Sequence, residues 1–198
     1  GVALQLAMAK HRLSALGPVQ AVRAVEGWRI HSIEQFYGFG GDADVRSKKF
    51  PGRGGLYLTG KIDRIEWSSE KDRTIRVIDY KTGKGKTKGQ IEGKTRDSQG
   101  DLKRQLVFYR LLIDLEKRIA NMTFDQAELD FVSVPSDKGK SGRYSVAITR
   151  EEVEDLKLTI RDTMAKIRAL EFPRTSDTKH CGNCDFRDHC YPSGIPTQ

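Results

Sequence analysis

Two strand-like runs, Gly60-Lys61-Ile62-Asp63-Arg64-Ile65 and Val77-Ile78-Asp79-Tyr80-Lys81-Thr82-Gly83, constrain this chain more than any other stretch. Each alternates apolar residues and each delivers one carboxylate; 16 residues separate Asp63 from Asp79. Residues i and i+2 of a strand share a face, so Asp79 and Lys81 project together while Tyr80 faces the other way. A hairpin closed through Ser68-Ser69-Glu70-Lys71-Asp72 would bring Asp63 to the same face. Two carboxylates beside a lysine suit a hard divalent cation such as Mg²⁺ or Mn²⁺ and the cleavage of a phosphodiester. The plain alternative is a solvated Asp79–Lys81 ion pair with Asp63 as a surface charge near the turn. Against it, Val77-Ile78 is a core-strand run, and an acid at the end of such a run resists burial unless its charge is compensated.

The wider pattern is that of an α/β protein. Val2 to Leu16 has helical periodicity and stops at Gly17-Pro18, and residues 19–26 suit a second short helix. Trp28 to Phe39 alternates as a strand with an irregular middle, and Gly38 to Gly55 is expected to be a loop. Strands are expected over Leu56–Trp67, Thr74–Tyr80, Phe124–Val134 and Tyr144–Ile148, with a hairpin across Pro135 to Arg143. A helix is expected over Asp101–Ala120, with Gln105 and Tyr109 one turn apart on one face. A hydrogen-bonded pair at a helix–sheet boundary would explain those two residues without a function. A further helix, capped by Thr149, carries Val153, Leu156, Ile160, Met164 and Ile167 on one face and ends before Pro173.

These motifs resemble the RecB-like branch of the PD-(D/E)XK nuclease superfamily. Gly-x-Ile-Asp-Arg-Ile, Val-Ile-Asp-Tyr-Lys-Thr-Gly and Gln105-Leu106-Val107-Phe108-Tyr109 follow in the family's order, and the likeness spans roughly residues 25–192. The resemblance implies a restriction-endonuclease-like core, a mixed central sheet flanked by helices. It implies that Asp63 and Asp79 ligate Mg²⁺ or Mn²⁺ with the main-chain carbonyl of Tyr80, and that Lys81 positions or polarises water. It also implies that Gln105 and Tyr109 line the active site and help hold the substrate strand. The expected organisation is an N-terminal helical segment over residues 1–27, a nuclease core over 28–172 and a cysteine-rich tail over 173–198. Glu34 sits where relatives often carry a glutamate near the metal, although a solvated strand carboxylate fits equally well. His31 has no acidic or cysteine neighbour at ligand spacing and reads as an ordinary histidine.

Composition supports a polyanionic partner. The 198 residues carry a net charge of +8, which favours nucleic acid without requiring it. Lys84, Lys86 and Lys88 lie in the segment Thr82–Gly100, just after the Asp-x-Lys strand, where they can contact DNA phosphates. That segment is rich in glycine and lysine, and we expect a loop that contributes nothing to the core. No apolar run approaches the roughly 18 residues of a membrane span. The chain starts at Gly1 inside a helical pattern, which reads as a segment of a longer protein.

Cys181, Cys184 and Cys190 form a Cys-x2-Cys-x5-Cys cluster, too local for a disulfide framework and suited to one soft metal centre in a reducing, cytoplasmic setting. Relatives with AddB-type nuclease domains close a 4Fe–4S cluster with such a tail, using a fourth cysteine from far upstream. This sequence has no such cysteine, so zinc held by the three cysteines and His180 or His189 competes. The family's upstream metal-binding histidine is also missing; His11 lies too close to Asp63. Both absences are expected together if the segment is truncated. The resulting expectation is a Mg²⁺- or Mn²⁺-dependent DNA exonuclease domain of a repair or recombination protein, with a helicase domain or subunit as a candidate partner. The rivals are an inactive nuclease-fold module that binds DNA and a zinc-stapled protein-interaction domain.

Overall fold

A computed structural model describes residues 25–37, 46–47, 56–68, 73–116, 119, 121–132, 142–174, 178 and 181–195. The expected helices before residue 25, the turn at 69–72, most of the 38–55 loop, the hairpin tip, His11 and His180 lie outside these residues. The chain divides into two compact units, Gly1–Lys157 and Leu158–Gln198.

The first unit is built on a five-stranded mixed sheet. Its strands are β1 (Trp28–Tyr37), β4 (Gly60–Ser68), β5 (Thr74–Lys81), β6 (Thr123–Phe131) and β7 (Arg143–Val146), adjacent in that order. Two short strands, β2 (Arg46–Ser47) and β3 (Leu56–Tyr57), pair separately. Helices α1 (Lys88–Ile91) and α2 (Asp101–Leu115) connect β5 to β6, and α3 (Arg150–Arg168) follows β7. All pairings are antiparallel except β5–β6. Parallel neighbours need a long crossover, which is why some forty residues with two helices intervene between β5 and β6. Among the described residues no helix is long and apolar enough to cross a membrane.

β5 is the central strand, and its consecutive residues Ile75 to Asp79 are all buried. A strand covered on both faces reads as a continuous apolar run, and here two charged residues interrupt it. Asp79 belongs to the face shared with Val77; Arg76 belongs to the other. Arg76 Nε donates to Glu66 Oε2 at 2.6 Å, and Arg64 pairs with the other Glu66 oxygen. The Arg76 guanidinium also stacks on Trp28, 4.2 Å from the ring centre. Glu66 is fully buried, and the two arginines that meet it compensate its charge.

Helix α2 packs Leu106, Val107, Leu111 and Leu112 into the core. It approaches the start of β4 closely: a Cβ on Gly60 would stand 2.7 Å from Leu112 Cδ1 and 3.2 Å from Phe108. A larger residue there would push helix and strand apart.

Several expected boundaries move. The strand expected over Leu56–Trp67 is broken at Leu58-Thr59, and its first two residues belong to the small second sheet. The predicted loop at 38–55 contains β2. Helix α2 ends at Leu115, not Ala120: Glu116 is extended (φ −83°, ψ 111°) because the chain must return to pair Thr123 N with Arg73 O, 3.0 Å apart, where β6 begins beside β5. The irregular middle of β1 is a register shift between Ile30 and Ser32. Thr149 caps α3 as expected, its hydroxyl receiving Glu152 N at 3.2 Å while Glu152 Oε2 receives Thr149 N at 2.9 Å. The apolar face of α3 buries Val153 and Leu156 but leaves Ile167 exposed. In the second unit, a short 3₁₀ turn (Cys181–Asn183) and α4 (Arg187–Cys190) carry Cys181 and Cys190, and Cys184 lies between them.

Replacing Glu66 by alanine removes the carboxylate partner of buried Arg64 and, among the described residues, leaves buried Arg76 with Glu26 alone, 3.7 Å away. We expect a loss of about 3–5 kcal/mol in unfolding free energy, read from urea titration; a change below 1 kcal/mol would mean that water reaches the arginines.

Candidate active site

Strand geometry places Asp79 and Lys81 together, and the structure confirms the pairing: Lys81 Nζ lies 2.6 Å from Asp79 Oδ2. Tyr80 points to the opposite face, where its hydroxyl meets Arg64 NH1 at 3.3 Å. Asp63 arrives differently. The β4–β5 ladder ends with the pair Arg64↔Ile78. One residue further on, the Asp63 side chain takes over the role of a backbone carbonyl, accepting Tyr80 N at 2.9 Å through Oδ2. The Tyr80 carbonyl points to the same side of the strand as its N–H, toward Asp63.

Helix α2 supplies the remaining members. Gln105 Nε2 donates to Asp79 Oδ1 at 3.0 Å and lies 2.7 Å from the Tyr109 hydroxyl, while Gln105 Oε1 accepts Lys81 Nζ at 2.7 Å. Tyr109 donates its own proton to Asp79 Oδ1 at 2.7 Å. The i, i+4 spacing of Gln105 and Tyr109 makes this possible, since both emerge from one helical face. All five residues singled out from the sequence for this site are thus brought together: Asp63, Asp79, Lys81, Gln105 and Tyr109.

The electrostatics follow from this packing. Burial is the main reason the Asp63 carboxyl is raised above its ordinary value, helped by the negative charges of Asp79 and Glu34. The Tyr80 N–H and the Lys81 charge oppose the shift. Glu34 lies in β1 between Ile33, paired with Arg64, and Gln35, paired with Ile62, which puts it across from Asp63. It is exposed, ion-paired with Lys61, and has a positive φ of 51°. Burial and the Asp79 carboxylate push the Tyr109 phenol far above its usual range, so it remains a proton donor.

The donor set fits a hard divalent cation. Asp79 is 3% exposed, and its Oδ2 has no hydrogen bond of proper geometry, although Lys81 stands close enough to compensate its charge. A buried carboxylate oxygen without a directed donor, next to a second carboxylate and a main-chain carbonyl, is an all-oxygen ligand environment. Among the described residues no three His, Cys, Asp or Glu side chains gather into a metal-holding group. A cation here would therefore rest on two carboxylates, with carbonyl and water oxygens completing its shell, as Mg²⁺ commonly does. Cys181, Cys184 and Cys190 likewise form no such group among the described residues; Cys181 is buried, Cys190 half-buried and Cys184 exposed.

The segment Thr82–Gly100 corrects the expectation of a loop without core. It contains α1, closed by a capping box between Thr87 and Gln90, and Ile91 is fully buried. Thr87-x-x-Gln90 is a helix-start spacing that the surrounding glycines and lysines obscure. Lys84 and Lys86 are exposed, while Lys88 stands 3.8 Å from Glu92. Glu92 and its contact with Tyr144, 52 residues away, have no local signature.

A mixed sheet whose central strand delivers an Asp-x-Lys pair, with a second aspartate from the antiparallel neighbour, defines an α/β protein of the restriction-endonuclease-like class. The chain matches the family model of the PD-(D/E)XK nuclease superfamily over residues 3–191, and it belongs to that superfamily. A comparison with curated proteins gives no match.

A raised Asp63 carboxyl makes a pH-dependent claim on the metal-free protein. The unfolded chain loses this proton near 3.8, the folded chain only at higher pH. Stability therefore falls as pH rises through that window. Asp63→Asn carries no such cost, so in EDTA its stability relative to wild type should grow across the window and level off above it. Mg²⁺ should erase the advantage by stabilising the wild type. A difference constant with pH, measured by thermal melts, would show that the surroundings do not disfavour the Asp63 charge.

Proposed function

We propose that this chain is a Mg²⁺- or Mn²⁺-dependent deoxyribonuclease domain, exonucleolytic, within a DNA repair or recombination protein. The carrying observation is the Asp63–Asp79–Lys81 constellation with its buried, undirected Asp79 oxygen. Superfamily membership makes nucleic acid cleavage the chemistry to test it against. Asp63, Asp79 and the Tyr80 carbonyl are the residues that would hold the cation. When bound, the cation supplies charge stabilisation for the scissile phosphate and its leaving oxygen.

The protein groups around it have separable roles. Asp63 is oriented by the Tyr80 N–H and Asp79 by Tyr109 and Gln105, so neither carboxylate must be reorganised to bind. Gln105 also retains Lys81, holding the ammonium beside Asp79 where it can orient the attacking water for in-line displacement. Neutral Tyr109 cannot act as a base and serves as a fixed donor. A helicase domain or subunit is the candidate partner, from the likeness to AddB-type nuclease domains.

With Mg²⁺ or Mn²⁺ the protein should degrade linear DNA, and EDTA should abolish the activity. Asp79→Ala and Lys81→Ala should each lower turnover by at least about 10²-fold. DNA binding without cleavage, unchanged by Lys81→Ala, would instead establish an inactive nuclease-fold module.

The tail is proposed to hold a soft metal through Cys181, Cys184 and Cys190, as a 4Fe–4S cluster or as zinc with a histidine. Its support is the cysteine spacing and the tight turns around it, with Cys184 N bonded to Cys181 O at 3.2 Å and Arg187 N to Cys184 O at 3.0 Å. Serine at any of the three should lower metal content and melting temperature together while cleavage persists. Anaerobic metal analysis decides between iron and zinc, and the absence of both would remove the proposal.

A further inference from the structure

The basic residues of the crossover between β5 and α2 fall into two groups. Lys94 Nζ lies 2.7 Å and Lys88 Nζ 3.8 Å from the Glu92 carboxylate, whose side chain is only 13% exposed. In α2, Lys103 reaches Glu152 at 3.0 Å and Arg104 pairs with Asp101. Lys84, Lys86 and Arg96 are exposed, as Lys88 and Lys94 are, but make no ion pair among the described residues. Lys84 and Lys86 come three and five residues after Lys81.

The segment carrying them is tied down. Ile91 anchors α1 in the core. Lys94 N bonds Gly89 O at 2.8 Å, Ser98 bonds the Gln90 carbonyl through its hydroxyl, and that hydroxyl receives Gly100 N at 3.3 Å. Gly93 has φ +74°, and a Cβ there would stand 2.7 Å from Gly100 N, so the two glycines let the chain close on itself. A long-range polar bond from Tyr144 OH to Glu92 Oε1, 2.8 Å, fastens the crossover to β7.

We propose that Glu92 is a positioning residue that, through Tyr144, Lys94 and Lys88, holds the crossover as a rigid ledge from which Lys84 and Lys86 contact the phosphates of DNA leading to Asp63 and Asp79. The proposal rests on the nuclease reading above and adds to it: the lysines bind as a preformed pair, and Lys88 and Lys94 serve mainly as internal counter-ions. Preorganisation strengthens binding because the ledge is ordered before the phosphates arrive. The ledge reads backbone charge and carries no sequence preference.

The test is equilibrium binding of a labelled linear DNA duplex, and of a labelled single strand, in EDTA over a range of salt. Lys84→Gln with Lys86→Gln should reduce the log–log salt slope by about 1.4–1.8, at roughly 0.7–0.9 per lost phosphate contact. Lys88→Gln with Lys94→Gln should reduce it by less than half as much. Glu92→Ala is the decisive variant, because it makes the chain more positive. Bulk charge predicts tighter DNA binding, whereas the ledge predicts binding about 2- to 10-fold weaker. Tyr144→Phe, which changes no charge, should weaken binding in the same direction and serves if Glu92→Ala does not fold. In both variants hydrogen exchange should rise at residues 84–100 while the amides of β5 stay protected. If wild type binds and cleaves DNA but Glu92→Ala binds as well or better, or Tyr144→Phe binds unchanged, the ledge is wrong and the nuclease reading stands. If wild type neither binds nor cleaves DNA, the nuclease reading itself fails.

Discussion

The first unit is organised around one buried carboxylate. Asp79 sits in the central strand of the sheet, where an isolated charge would cost several kcal/mol of desolvation. It is tolerated because Lys81, Gln105 and Tyr109 converge on it from the same strand and from α2. That requirement sets the distance between helix and sheet, and Gly60 is what allows α2 to come close enough. The geometry of the candidate site and the packing of the core are therefore one problem here. Groups that compensate Asp79 are the groups that orient it, and one of its oxygens remains without a directed donor.

The two faces of β5 handle charge in different ways. On the α2 face one carboxylate oxygen of Asp79 has no directed donor, and Lys81 stands beside it. On the opposite face Glu66 bridges Arg64 and Arg76, and Trp28 covers Arg76, while Arg64 Nε and Arg76 Nη2 stay buried without a hydrogen-bond partner. Tyr80 connects the faces: its amide holds Asp63 while its hydroxyl meets Arg64. This buried ion network behind the candidate site occupies space that apolar packing could have filled, at some expense of stability.

The crossover required by the parallel β5–β6 pair does more than connect them. The chain leaves β5 at Lys81, within the candidate site, and presents Lys84 and Lys86 within the next five residues. Placing lysines there costs little, since they are solvated. The buried Ile91 and the Glu92–Tyr144 bond tie this segment to the core and to β7.

What the sequence determined by itself is what depends on local periodicity. The two-residue repeat of a strand puts Asp79 beside Lys81 and turns Tyr80 away, and the helical repeat aligns Gln105 with Tyr109. These relations hold wherever the strand and helix form, so the core of the site was legible before any tertiary contact was known, as was the mixed α/β class. Tertiary structure alone decided the rest. Asp63 engages the Tyr80 amide only because the ladder stops at Arg64↔Ile78, a matter of register between strands. Glu66 and Arg76 look like surface charges until both faces of the sheet are covered. Helix α2 stops at Leu115 although its sequence pattern continues, because the chain has to turn back toward β6. Glu92 and Tyr144 meet across 52 residues, and nothing in either neighbourhood encodes the other. Burial and register are set by segments far apart in the chain, and a pattern read over one or two turns cannot carry that information.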